Sequence, residues 1–197
     1  MKRTGLALRG LAASCASAAA LIALPPSGFA APSDVVPFGD LNIQMQEQEK
    51  SNWCWDASGN TIADFWGHQL TQTEFCQIAH NESGDDCADE QGYLSDQQRV
   101  FRQLNFTSAG TYRDSGETLS YDAIKQEIDA GQPIGTRILW TSGGGHMHVL
   151  YGYDDANGTV SYGDPLQGAQ RYNSMDYDAY QSNGEFSWTH TVYGIKG

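Results

Sequence analysis

The chain has 197 residues, and its 11 Lys and Arg against 24 Asp and Glu give a formal net charge of -13. At about 100 to 200 residues per domain, this length holds one domain or a tight pair and excludes multidomain machinery. A composition 40% apolar and 11% aromatic is globular, and the acidic balance speaks against nucleic acid or an anionic membrane as partner.

Lys2, Arg3 and Arg9 precede an Ala-rich apolar run from Leu11 to Leu24, which leads into Pro25-Pro26-Ser27-Gly28-Phe29-Ala30. This is the layout of a secretory signal peptide cut after Ala30, which predicts a secreted chain. The run is too short for a good spanning helix, and no later stretch is apolar for eighteen residues, so no membrane partner is expected. Cleavage would leave 8 basic against 24 acidic residues, a net charge of -16, and would discard Cys15.

Beyond the signal, Cys54 opens a helical pattern with Trp55, Ile62, Ala63 and Trp66 on one period, and Gly67 can stop it. Thr71 with Glu74 forms a capping box for a short helix carrying Phe75, Cys76 and Ile78, and Ser95 with Gln98 predicts another carrying Val100, Phe101 and Leu104. Ser120 caps a fourth helix with Ala123, Ile124 and Ile128 on one face, and Gly131 closes it before Pro133. Strands are then predicted at Ile134 to Trp140, His146 to Tyr153, Thr159 to Tyr162 and Glu185 to Ile195, separated by Gly143-Gly144-Gly145, Asn157-Gly158 and a polar stretch from Asn173 to Asn183. Helices followed by antiparallel strands predict an α+β fold of residues 31–197, with a helical lobe over about 41–131 and a strand lobe over about 132–197.

Three cysteines follow the signal. Cys76 and Cys87 are eleven residues apart across a polar loop, a spacing at which a disulfide stabilises by roughly 2 to 3 kcal/mol in the chain-entropy model. That pairing leaves Cys54 free at a helix N-terminus, where unsatisfied N–H groups and the helix dipole favour the thiolate, the nucleophilic form. Between Trp53 and Trp55, the same residue also reads as a small buried hydrophobe.

Gln48, six residues earlier, makes the catalytic reading the stronger one. A side-chain amide there can reach back beside the Cys54 backbone N–H, and two such donors form an oxyanion hole. His146 begins a strand just past three glycines, and His148 shares its face. If the Asn157-Gly158 turn folds the two strands into a hairpin, Asp164 arrives beside His146 and can accept its ring N–H.

Gln48, Cys54-Trp55, Gly144-Gly145-His146, Gly152-Tyr153-Asp154-Asp155 and Asp164 resemble, in identity, order and local spacing, the papain-like cysteine peptidases, above all the short secreted bacterial ones. The likeness spans residues 41 to 195 and implies a reduced papain-like fold. It also implies a polypeptide substrate, no cofactor, a monomer, and a Cys54–His146–Asp164 triad with Gln48 in the oxyanion hole. Two features depart from papain. Cys54 and His146 are 92 residues apart, against about 130 to 150 in papain, and Asp164 stands where papain has Asn. The family register selects His146 over His148 as the base, six residues before Gly152. The competing functions are an acyl-transfer or amidase enzyme of related fold, and an exported binding protein or toxin without activity.

The remaining candidates read blandly. Asp85, Asp86, Asp89 and Glu90 lack calcium-loop spacing, and His68, His80 and His190 lack zinc spacing. Trp140 and Trp188 are candidates for cleft walls as well as for core.

Overall fold

The computed structural model describes residues 38–114 and 116–197. The expected signal peptide, residues 1–30, lies outside the described residues. In chain order the elements are β1 (Phe38–Asp40), α1 (Cys54–Phe65), α2 (Gln72–His80), α3 (Leu94–Gln103), β2 (Ser108–Arg113), α4 (Tyr121–Asp129), β3 (Ile134–Trp140), β4 (Gly145–Asp154), β5 (Thr159–Gly163), β6 (Tyr172–Asp176), α5 (Tyr177–Gln181) and β7 (Phe186–Lys196).

The strands form one antiparallel sheet in the order β2-β7-β3-β4-β5-β6, with β1 paired to the far end of β4. Alternation along the central strands sends side chains to two cores. Met147 and Val149 of β4, with Val192 and Ile195 of β7, meet Trp53, Trp55, Ile62, Phe75 and Phe101 from the helical side. Ile134 and Ile138 of β3, Leu150 and Tyr153 of β4, and Trp188 of β7 meet Ile124, Ile128 and Tyr180 on the other side. The sheet is thus covered on both faces. The helix α4, which the sequence reading groups with the helical lobe, packs with the second core.

Every residue of α1 from Trp55 to Ala63 is buried. The helix lies so close to its neighbours that a Cβ on Gly59 would stand 2.6 Å from the Phe75 ring and 2.8 Å from Gln97 Cγ. Its polar residues are mostly satisfied: Ser58 Oγ donates to the Cys54 carbonyl, Thr61 Oγ1 to the Ala57 carbonyl and Asn60 Nδ2 to the Leu70 carbonyl. Asn60 Oδ1 is left without a partner among the described residues, and Asp56 departs furthest, fully buried with no hydrogen bond to either carboxylate oxygen among them. Burial, followed by repulsion from Glu49, pushes its pKa up to about 9, so it is held as the neutral acid.

Local signals are borne out at α2, where Thr71 and Glu74 complete the capping box, and at α4, where Ser120 accepts from the Ala123 N–H. The end of α4 is a Schellman turn: Gly131 takes φ +75, its N–H bonds the Ile128 carbonyl, and the Gln132 N–H bonds the Glu127 carbonyl. The third helix differs from expectation. It starts at Leu94 with Tyr93 as N-cap, and Asp96, not Gln98, closes the turn by accepting the Tyr93 N–H at 2.8 Å. Ser95 lies inside the first turn.

The elements β1, β2, β6 and α5 go beyond the sequence reading. Two of them, β1 and α5, have three and five residues, too few to show a period. In β2 the run is broken by Gly110 at φ +84, where a Cβ would meet Val192 at 2.7 Å. The strand β6 sits at the sheet edge with Tyr172, Ser174 and Asp176 exposed, so it shows no apolar face.

Candidate active site

Cys54 is the first residue of α1, partly exposed, and not in a disulfide. The disulfide joins Cys76 of α2 to Cys87 in the following loop, as the spacing predicts. That loop is also pinned to the approach to α1: Trp53 Nε1 donates to the Ala88 carbonyl and Trp55 Nε1 to the Glu90 carbonyl. Gly92 then passes across the Trp55 ring, where a Cβ would stand 2.3 Å from an indole carbon, and so brings the 91–93 backbone to the cleft wall.

The opposite wall is the β4–β5 hairpin. Its register pairs Val149 with Gly163, which sets Asp164 just past the end of β5, level with the start of β4. His146 Nε2 donates to Asp164 Oδ1 at 2.7 Å, and the Leu166 N–H donates to the same oxygen at 2.8 Å. Because Nε2 is committed to the carboxylate, Nδ1 is the ring nitrogen left for Cys54, which lines the same cleft and favours the charged ring. Trp140 stacks on His146 with ring centres 5.9 Å apart and lines the cleft, whereas Trp188 is buried in the core.

Burial is the largest influence on His146 and opposes its positive charge. Hydrogen bonds and attraction from Asp164 and Cys54 together outweigh it, and the ring's pKa rises to about 9. Asp164 responds in the opposite sense: burial pushes its pKa up, but the His146 hydrogen bond and the nearby ring charges hold it below the usual carboxylate range. An imidazolium facing both a sulfur and a carboxylate is the arrangement of an activated thiol nucleophile.

Gln48 lines the same cleft and is buried. A strap from residue 41 to 50 brings it there and is tied to the turn after Asp164. The Gln48 N–H donates to the Pro165 carbonyl, Gln167 Nε2 donates to the Gln48 carbonyl, and Arg171 pairs with Glu47 at 2.6 Å. The Gln48 amide nitrogen bonds the carbonyls of Lys50 and Ser51 at 2.9 and 2.8 Å, while Oε1 has no partner among the described residues. Turning the amide over would set its oxygen against two carbonyl oxygens, so those carbonyls fix which end faces them.

Gln48, Cys54, Tyr93, Trp140, His146 and Leu166 line a cleft of about 250 Å³. All four residues singled out in the sequence meet around it: Gln48, Cys54 and His146 on its walls, and Asp164 behind His146. Sequence reasoning missed the Gln91-Gly92-Tyr93 wall, whose signal is a glycine in an otherwise polar loop. It also missed Leu166, which carries none.

Two groups of metal-type ligands occur among the described residues. His146, His148 and Asp164 converge within 4.8 Å, but His146 Nε2 and Asp164 Oδ1 are bonded to each other. In Cys76, His80 and Cys87 both sulfurs are joined to each other.

A reduced papain-like fold with a cysteine, a histidine and a carboxylate around an open cleft defines a cysteine-type peptidase. The chain belongs to the family described as papain-like cysteine protease AvrRpt2, whose model matches residues 37–184. Among solved structures, the peptidase domain of Streptococcus ComA, a bifunctional ABC transporter of a quorum-sensing pathway, is similar in fold. Its TM-score is 0.56 at 14% identity, over 77% of this chain and 97% of that one. A double-glycine-motif protease from an AMS/PCAT transporter, in complex with a leader peptide, matches at TM-score 0.46 and 13% identity, over 81% of this chain and 95% of that one. No curated protein matches the chain in sequence.

Proposed function

We propose that the chain is an exported endopeptidase that cuts polypeptides with Cys54 as nucleophile, His146 as acid and base, Asp164 as the residue that orients His146, and Gln48 as an oxyanion donor. The observation that carries this reading is the setting of His146: a 2.7 Å bond to Asp164 at the wall of an open cleft that Cys54 also lines.

In this mechanism the Cys54 thiolate attacks the carbonyl carbon of the scissile amide, an S–C bond forms, and the charge moves to the oxygen. His146 gives its proton to the departing amine as the C–N bond breaks, leaving a thioester. Water then attacks the thioester, losing its proton to His146, and the C–S bond breaks. The Cys54 N–H lies in the first turn of α1, where backbone donors have no partner within the helix, so it faces the developing oxyanion. Gln48 adds a second donor when the neighbouring carbonyls of Lys50 and Ser51 share one amide hydrogen in a three-centre bond, which frees the other for the cleft.

Export is supported by the charged, apolar and small-residue order of residues 1–30 and by a disulfide that an oxidising compartment would preserve. The test is digestion of unfolded casein by the protein lacking residues 1–30, with iodoacetamide labelling of Cys54. Wild type is expected to cut casein and to be alkylated faster than a free thiol, with Cys54→Ala inactive. A Cys54→Ala protein that cuts as well as wild type would overturn the reading.

A further inference from the structure

A second histidine stands behind the first. His148 is two residues along β4 from His146, fully buried, with its ring edge-on to the His146 ring at 5.0 Å. Burial, reinforced by the His146 charge, lowers its pKa to about 3, so it is a neutral ring with one N–H and one bare nitrogen. Its Nδ1 is 3.2 Å from the Tyr180 hydroxyl on α5, and that hydroxyl is 2.8 Å from Thr136 Oγ1 on β3. Its Nε2 has no hydrogen bond among the described residues and lies 3.8 Å from Asp164 Oδ2. The rings of Tyr162 on β5 and Phe186 on β7 enclose the remaining sides.

The proton positions along this row follow from which atoms can donate. A carboxylate only accepts. If Nε2 of His148 were the bare nitrogen, two lone pairs would face each other in a buried site, so Nε2 carries the proton and Nδ1 is bare. The Tyr180 hydroxyl, which burial keeps protonated, then donates to Nδ1, and Thr136 Oγ1 donates to Tyr180 at 2.8 Å, sharing its proton with the His148 carbonyl at 3.4 Å. Every donor in the row Thr136, Tyr180, His148 thus points toward Asp164. The carboxylate itself is asymmetric. Oδ1 takes the His146 and Leu166 N–H groups, while Oδ2 takes no hydrogen bond among the described residues and faces His148.

The geometry points to His148 as a positioning residue: its Nε2–H, oriented by Tyr180 and Thr136, holds Asp164 Oδ2 and so keeps Oδ1 turned toward His146. This inference rests on Asp164 being the partner of His146 in the proposed triad. It assigns His148 no contact with substrate or with the reacting atoms.

The test measures the rate of Cys54 alkylation by iodoacetamide from pH 4 to 10 in the intact protein, which needs no known substrate. Without His148 the carboxylate can turn away from His146, so His148→Leu is expected to move the alkaline limb down by about one pH unit, a tenfold change in the acidity of His146. His148→Gln puts an amide N–H near the place of Nε2 and is expected to keep the wild-type profile, whereas His148→Asn puts its N–H near Nδ1 and is expected to behave like His148→Leu. Adding His148→Leu to Asp164→Ala is expected to shift nothing further, because the residue acts through Asp164. An equal shift from His148→Leu in both backgrounds would mean a packing role and overturn the inference while leaving the triad intact. If His148→Leu fails to fold by circular dichroism, the Gln and Asn variants carry the decision, and equal profiles for the two overturn the proposal. An Asp164→Ala protein with the wild-type profile would overturn the triad and this inference together.

Discussion

The two walls of the cleft are built on opposite terms. The helical wall is an apolar core braced by the Cys76–Cys87 disulfide and by two indole N–H bonds, and it offers Cys54 by position alone. The sheet wall gathers titrating groups in sequence, His146, His148 and Tyr180 buried and Asp164 half-buried among them. Two histidines only two residues apart are driven in opposite directions there, one to about 9 and one to about 3. Both are buried and both lie near the same carboxylate. A direct 2.7 Å bond to the carboxylate plus a facing sulfur overcomes desolvation, whereas a 3.8 Å approach in a closed aromatic box does not.

The contrast can be broken most severely on the sheet wall. His146→Ala is expected to lower kcat/KM by about 10³-fold or more, as for other members of a nucleophile–base unit. His148→Leu, two residues away, should cost far less, and equal losses in well-folded proteins would erase the distinction between the two rings. Asp164→Ala should cost roughly 10²-fold, at the lower end of what general acid–base groups supply. Asp164→Asn should keep measurable activity, because an amide can still orient the ring. It stabilises imidazolium less, so the alkaline limb of kcat/KM should fall below the value near pH 9 set by His146.

On the helical wall, Gln48→Ala should reduce kcat by about 10- to 10²-fold with KM little changed, somewhat less than a fully engaged oxyanion donor. Replacing both Cys76 and Cys87 by Ser should lower unfolding stability by roughly 2 to 3 kcal/mol in urea titration. Activity per folded molecule should be unchanged, since neither sulfur reaches the cleft.

Asp56 gives the sharpest test, one of stability alone. Its pKa is raised in the folded state, so burial is free of charge cost below the unfolded value of 3.8, and stability falls as pH rises from there toward 9. Asp56→Asn should therefore melt higher than wild type at pH 7 and match it at pH 3. A difference of the same size at both pH values would assign the effect to shape instead of charge.

The site was more legible in the sequence than the sheet that carries it. Cys54, His146 and Asp164 are located by short-range signals: a helix start, a strand beginning after three glycines, and the Asn157-Gly158 turn that folds one strand onto the next, with Gly158 at φ +66. These signals act within about twenty residues, the range over which turn chemistry and periodicity operate. What failed depends on distant partners. Edge strand β6 has no apolar face, β2 is recognisable only by its pairing with β7, and α4 looks like any amphipathic helix until the sheet decides which face it covers. Tyr180, the partner of His148, lies in a polar stretch that reads as loop, because a five-residue helix leaves no pattern.

The strap that carries Gln48 sets the order in which the cleft can be completed. Gln48 bonds Pro165 and Gln167, and Glu47 pairs with Arg171, so these links join residues 117 or more positions apart. Contacts of such separation close late in folding, after the local helices and hairpins have formed. A chain emerging from the ribosome carries Cys54 early, yet holds neither the hairpin partner of His146 nor the anchor of the strap until residues near 171 are available. Partial chains thereby lack the assembled cleft, which is completed as a single late event.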